Sequence, residues 1–413
     1  MGLRHLAAGA MLFVLGVNAH ADPLKIAIVE PFSGPLERSG YSFAEGVRYA
    51  VKKINQSGGF NGEPVQLKEY DNLGKTAVAQ EKLKEAINDG NHLVMSVTVS
   101  AISAMLTDEI KKYNTRNPGK EVIFYNIGSA SIDLVQEKCH FFAFKWGANA
   151  WMNFHTAARV MNEAGVLGKK IYVINPNYSY GHDSETAQRE IAKTLGAEVV
   201  GADLVELLKT QDFSPYVAKV KASGAQSILT ALFENDLTLF LKALDAAGLK
   251  LPLANQSLDA PGTLAAAGQA ALGSYLARIW VRGVGGDAGE ALLQDFTKEM
   301  GHPPLYETPS SLFPTLFIAE AGKRLQLKGG PIDTKALVLA LEQTTMKTPA
   351  GDISVRKEDH QGLRPMTISV VSTDTPYKVD GTDMGFKPIK TVNSADAAVP
   401  LSPACKMERP PGT

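Results

Sequence analysis

Residues 92–106 read HLVMSVTVSAISAML and place Ser96, Thr98 and Ser100 where an apolar run gives way to helical spacing. A second place of this kind follows at residues 126–131, NIGSAS, with Ser129 and Ala130 leading into SIDLV. Small hydroxyls at the end of a strand can serve as a nucleophile, cap a helix or cradle an anion. A nucleophile needs a base and an oxyanion hole. No G-x-S-x-G surrounds Ser96, Ser100 or Ser129, and His92 precedes its strand, at the opposite end of the sheet. GVGGDAGE lacks the dinucleotide spacing, and no P-loop pattern occurs. A cradle needs only hydroxyls and the first N–H groups of a helix, which lack internal partners and carry the positive end of the dipole. Two consecutive loops at one sheet edge favour the cradle over simple capping. They point to a ligand carboxylate gripped without arginine.

Aromatic residues occupy matching places further on. Tyr178 and Tyr180 lie in NPNYSYGHD, and Phe233 lies in ALFENDL. Aromatic side chains in such loops can close over an apolar ligand group.

These loops need elements to position them. LKIAIVE, EPVQLKEYD, LVMSV and EVIFYNI read as strands, alternating with segments of helical periodicity. The theme repeats from KKIYVINPN through AQSILTALF to LKLPLANQS. Such alternation predicts α/β units, each a parallel sheet with helices on both faces. Helices after the second unit need a sheet to cover and are expected to return to the first. That arrangement makes two lobes joined by three crossover segments. The expected divisions are 22–143 for the first lobe, 144–274 for the second, 275–350 for a return to the first and 351–372 for a return to the second. An irregular tail covers 373–413. In open parallel sheets, ligands sit beyond the carboxyl ends of the strands, so the loops above face the cleft.

With 413 residues the chain exceeds one ordinary core, and a net charge of −1 argues against a nucleic-acid partner. Residues 1–21 combine Arg4, an apolar run from 6 to 17 and the small-x-small site Ala19-His20-Ala21. This is the pattern of a cleaved secretory signal, too short to span a bilayer, with cleavage expected before Asp22. No later stretch predicts membrane insertion. Cys139 and Cys405 are the only cysteines; an oxidising compartment and a tail poor in apolar residues predict a disulfide between them. The eight histidines are scattered without paired ligand spacing, so no metal and no other cofactor is expected.

The segment IAIVEPFSGPLERSGYSFAEGVRYAVKKINQSGGFNG resembles the opening of the periplasmic leucine/isoleucine/valine-binding proteins: a strand, S-G-P at Ser33-Gly34-Pro35, then a helix ending in I-N-x-x-G-G-x-x-G from Ile54 to Gly62. YDNLGKTAVAQEKLKEAI and the Y-G of PNYSYGHD are similar to later family segments, and the likeness covers residues 23–372. The resemblance implies the two-lobed type I fold, a small-carboxylate ligand and no enzyme activity. It also implies a monomer in the periplasm that delivers its ligand to an inner-membrane ABC permease. Carried over residue by residue, it places Thr98, Ser100, Ser129 and Ala130 near the carboxylate loops. Tyr180 falls on the cleft tyrosine, Phe233 near a second aromatic, and Tyr41 joins the binding set. Where relatives often place an acid for the ligand ammonium, this chain has Gln256 and Ser257, with Asp259 and Glu234 as the nearest substitutes. The implied ligand is a branched-chain amino acid or analogue. An aromatic carboxylate, amide or urea is the alternative within the fold, and a ligand-sensing receptor domain is the alternative class.

Overall fold

The computed structural model describes residues 22–97, 99–325 and 330–413; the expected signal peptide and Thr98 lie outside the described residues. Fifteen strands are described: β1 Lys25–Glu30, β2 Gln66–Asp71, β3 Leu93–Ser96, β4 Ile123–Asn126, β5 Ala143–Lys145, β6 Lys170–Pro176, β7 Glu198–Val205, β8 Ser227–Thr230, β9 Leu253–Ala254, β10 Tyr275–Arg278, β11 Thr345–Thr348, β12 Gly351–Arg356, β13 Gln361–Leu363, β14 Met366–Ser372 and β15 Gly385–Val392. They build two sheets. The first runs β11-β12-β13-β5-β4-β3-β1-β2 and the second β15-β14-β10-β9-β8-β6-β7.

Both sheets are parallel at the centre. β3 pairs β1 and β4 in parallel, and β8 pairs β6 and β9 in the same sense. Every residue of β3, β4 and β8 is buried, as helices on both faces require, which is why these strands read as unbroken apolar runs. One edge of each sheet is antiparallel: β11 and β12 form a hairpin, and β14 runs antiparallel to both β10 and β15, while the opposite edge strands β2 and β7 pair in parallel.

The chain passes between the sheets three times, at residues 146–149, 279–285 and 364–365. The helix Thr308–Gly322 lies on the first lobe against the helix Glu37–Gln56. The Ser311 hydroxyl donates to the Phe43 carbonyl at 2.6 Å. A Cβ at Gly46 would stand 2.2 Å from Ser311 Oγ and 2.4 Å from the Thr308 carbonyl, so this close approach needs glycine.

Three expected divisions need correction. Residues 351–363 do not return to the second lobe: β12 folds back on β11, and β13 pairs with β5 through Gln361 and Lys145. The return begins at β14. β10, expected to open the first lobe's second part, lies in the second sheet beside β9. The tail is not wholly irregular, because β15 adds an edge strand. Pro388 lacks an N–H, and the register shifts opposite it between Ile368 and Ser369; an edge strand tolerates this, but it hides the strand from pattern reading.

Beyond β15 the chain leaves the second lobe and is fastened to the first. Cys139 and Cys405 form a disulfide with a Cα separation of 5.6 Å across 266 positions. Arg409 adds an ion pair to Glu342 at 2.7 Å and lies 5.1 Å from the Phe141 ring centre. The tail is therefore a fourth connection between the lobes. Closing a loop of that length contributes roughly 5 kcal/mol at most in the chain-entropy account. Reduction, or Cys405→Ser, should lower the thermal midpoint by roughly 3–6 °C. Thiol titration of denatured, unreduced protein should find no free thiol; two per chain would contradict the bridge.

Candidate functional site

The first lobe's loops are held by buried polar groups. Glu30, wholly buried at the end of β1, accepts the Ser96 hydroxyl at 3.1 Å and the Val97 N–H. Ser96 is thus committed to the framework. Ser100 opens the helix Ser100–Arg116, whose cap residue Val99 supplies no side-chain acceptor. The Ser129 hydroxyl reaches Ser100 Oγ at 3.4 Å, joining the two loops. Asn126 sets the second loop, accepting the Ser129 N–H at 3.1 Å while its amide donates to the Ser96 carbonyl and Ser103 Oγ. Lys145 completes it. Its ammonium donates to the carbonyls of Ser129 at 2.5 Å and Gly147 at 2.8 Å, and burial pushes its pKa down to about 7. The second loop differs from the first in one respect. It leads into a single 3-10 turn, Asp133–Val135, so only the first loop has a helix dipole behind it.

The second lobe supplies an aromatic group. Tyr178 lies 6.0 Å from Tyr180 and 6.5 Å from Phe233 between ring centres. Tyr180 is 6% exposed, and its hydroxyl is buried without a hydrogen-bond partner among the described residues. A Cβ at Gly181 would lie 1.7 Å from the Pro176 carbonyl, which is why glycine follows Tyr180.

Asn255 shapes the next loop: its amide donates to the carbonyls of Thr230 and Leu232, and its oxygen accepts the Ser257 N–H at 2.6 Å. Gln256 accepts from the Asn153 amide. Asp259 does not turn to the cleft as a free acid. Arg278 takes it with two N–H donors at 2.8 and 2.6 Å and extends a third to Glu307 of the first lobe at 2.9 Å. Burial works against the Arg278 cation, but Asp259 and Glu307 more than offset it and hold its pKa above the ordinary arginine value. Burial pushes the Glu307 carboxyl up, and Arg278 opposes that shift. Glu234 is the first residue of its helix, with a positive φ of 50°.

A cavity of about 60 Å³ between the lobes brings several of these groups together. Ala130 lines it from the second hydroxyl loop, Gln256 and Arg278 from the second lobe, and Glu307 and Ser310 from the first. Arg364 of the third crossover also lines it, 3% exposed, with Nε and NH1 unpartnered among the described residues. Arg278, Glu307 and Arg364 escaped sequence reasoning; an acid immediately before the helix Thr308–Gly322 was the only local signal. Tyr41 stands apart. It is 45% exposed, packed on Phe32 at 5.5 Å and on Arg48 at 5.3 Å. A larger groove of about 550 Å³, framed by Trp280, Pro304, Tyr306 and Tyr377, includes neither hydroxyl loop. Among the described residues no cluster of three or more metal-ligating side chains occurs, and no helix is long and apolar enough to cross a membrane.

The model of a periplasmic binding protein family matches residues 23–376. A Leu/Ile/Val-binding protein homologue from Brucella melitensis is 40% identical over 405 residues, covering 98% of this chain and 97% of that protein. The closed crystal structure of a leucine-, isoleucine-, valine-, threonine- and alanine-binding protein from Brucella ovis superposes with a TM-score of 0.92 at 41% identity, over 94% of this chain and 100% of that one. A branched-chain amino acid ABC transporter ligand-binding protein from Burkholderia xenovorans shares the fold, with a TM-score of 0.80 at 19% identity over 92% and 99% of the two chains. By its two lobes, its cleft-edge loops and these matches over nearly its whole length, the chain belongs to the periplasmic binding protein family.

Proposed function

We propose that this protein captures a small aliphatic amino acid in the periplasm and hands it to an inner-membrane ABC permease. The similarity to the Brucella ovis protein, 41% identical across that whole chain, is the observation that carries this reading. The site's chemistry supports it. Ser100 and Ser129, with Thr98 and the Ala130 backbone, offer the ligand carboxylate hydroxyls and N–H groups. Tyr178, Tyr180 and Phe233 offer an apolar wall for a side chain. Gln256, Ser257 and Tyr41 complete the binding set of this reading.

In this reading the protein is a monomer, and residues 1–21 are removed on export. N-terminal sequencing of the exported protein should begin at Asp22; retention of Met1 would contradict export through this signal.

A thermal-shift screen tests the ligand class. Leucine, isoleucine, valine, threonine or alanine at 100 times its dissociation constant should stabilise the protein by about 2.7 kcal/mol. If 4-hydroxybenzoate stabilises it and none of the amino acids does, the reading is wrong. Thr98→Ala and Ser129→Ala should each weaken ligand binding by about 1–3 kcal/mol, the range for hydrogen bonds to a charged group. The midpoint without ligand should stay close to that of the parent. Unchanged affinity in both variants would return these hydroxyls to a framework role.

A further inference from the structure

We propose that Glu307 accepts the ammonium group of the ligand and so selects an α-amino acid over its deaminated acid; this rests on the amino-acid reading above. The acid expected from the second lobe is missing, with Gln256 and Ser257 in its place. Asp259 is unavailable, because two N–H groups of Arg278 occupy it. Glu307 reaches the same cavity from the opposite lobe.

Its position is firmly built. The Glu307 N–H donates to Ser42 Oγ at 3.2 Å, and Thr308 donates to Glu45 at 2.6 Å, pinning this turn to the helix Glu37–Gln56. Its carboxylate has spare capacity. Oε1 takes one Arg278 N–H, and Oε2 takes the Ser310 hydroxyl at 3.1 Å. A carboxylate offers about four lone-pair sites, so two acceptor positions are left. Two carboxylates share Arg278, which leaves that trio with one negative charge in excess. Arg364 lines the same cavity, and its charge and that of Glu307 attract each other. The Tyr180 hydroxyl is buried beside Gln256 and within the field of Arg278. An ammonium has three donors and no acceptor, the complement of Glu307, the Gln256 oxygen and a tyrosine oxygen.

The test is calorimetric titration with L-leucine and its deaminated counterpart 4-methyl-2-oxopentanoate. The parent protein should prefer leucine by about 100-fold, and Glu307→Gln should reduce that preference to about tenfold or less, through loss of leucine affinity. Glu307→Asp, which keeps the charge, should restore most of it. If Glu307 serves only to join the lobes through Arg278, Glu307→Gln weakens both ligands by the same factor, and the proposal is overturned. A leucine preference that survives Glu307→Gln intact overturns it too. A parent protein that binds no aliphatic amino acid overturns the underlying reading, and this assignment with it. Thermal midpoints of both variants distinguish lost recognition from lost folding.

Discussion

The cleft is organised by one guanidinium. Arg278 ends a strand of the second lobe, fixes Asp259 in its own lobe and reaches Glu307 in the other. All three side chains are largely buried, with Arg278 and Asp259 each 12% exposed. Charges in such a place cost several kcal/mol each to desolvate, and only good geometry repays it. Bidentate pairing with Asp259 supplies that geometry. Taking away the cation would strand two carboxylates, a loss of about 3–5 kcal/mol. The arrangement is thus a weak source of stability and a strong source of specificity. It engages both oxygens of Asp259 and one oxygen of Glu307.

The rest of the site hangs from the same hinge. Each crossover carries or adjoins a buried cation: Lys145 before the first, Arg278 before the second and Arg364 within the third. Lys145 ties the second hydroxyl loop to the first crossover through the Ser129 and Gly147 carbonyls. Burial lowers the Lys145 pKa to about 7 and that of Arg364 to about 9, so these charges sit in a poorly solvated place where fields reach further. The tail adds a covalent limit. It leaves the second lobe after β15 and is bonded to the first at Cys139, with Asp396 still paired to Arg159 of the second lobe and the Val399 carbonyl accepting from Arg356 of the first.

Much of this was legible in the sequence, for physical reasons. Strands covered on both faces leave continuous apolar runs, so β3, β4 and β8 and the loops after them could be located. Open-sheet geometry then placed Ser100 and Ser129 at one edge, and they meet. Other features depend on tertiary folding. Arg278 lies 19 positions from Asp259 and 29 from Glu307, and the partners belong to different lobes, so no spacing rule links them. The turn after NIGSAS is too short to carry helical periodicity. β15 contains Pro388 and two lysines, so it reads as irregular although it pairs along β14. The packing of Tyr41 on Phe32 and Arg48 is likewise set by tertiary folding.

The central claim is that the cleft reads both ends of an amino acid, the carboxylate by the hydroxyl loops and the ammonium by the acid that Arg278 presents. A crystal structure with bound L-leucine tests it most directly. The account predicts the ligand nitrogen about 3 Å from Glu307 and the ligand carboxylate within hydrogen-bond reach of Ser100 or Ser129. A leucine whose ammonium meets another acid, or whose carboxylate lies away from both loops, would contradict it.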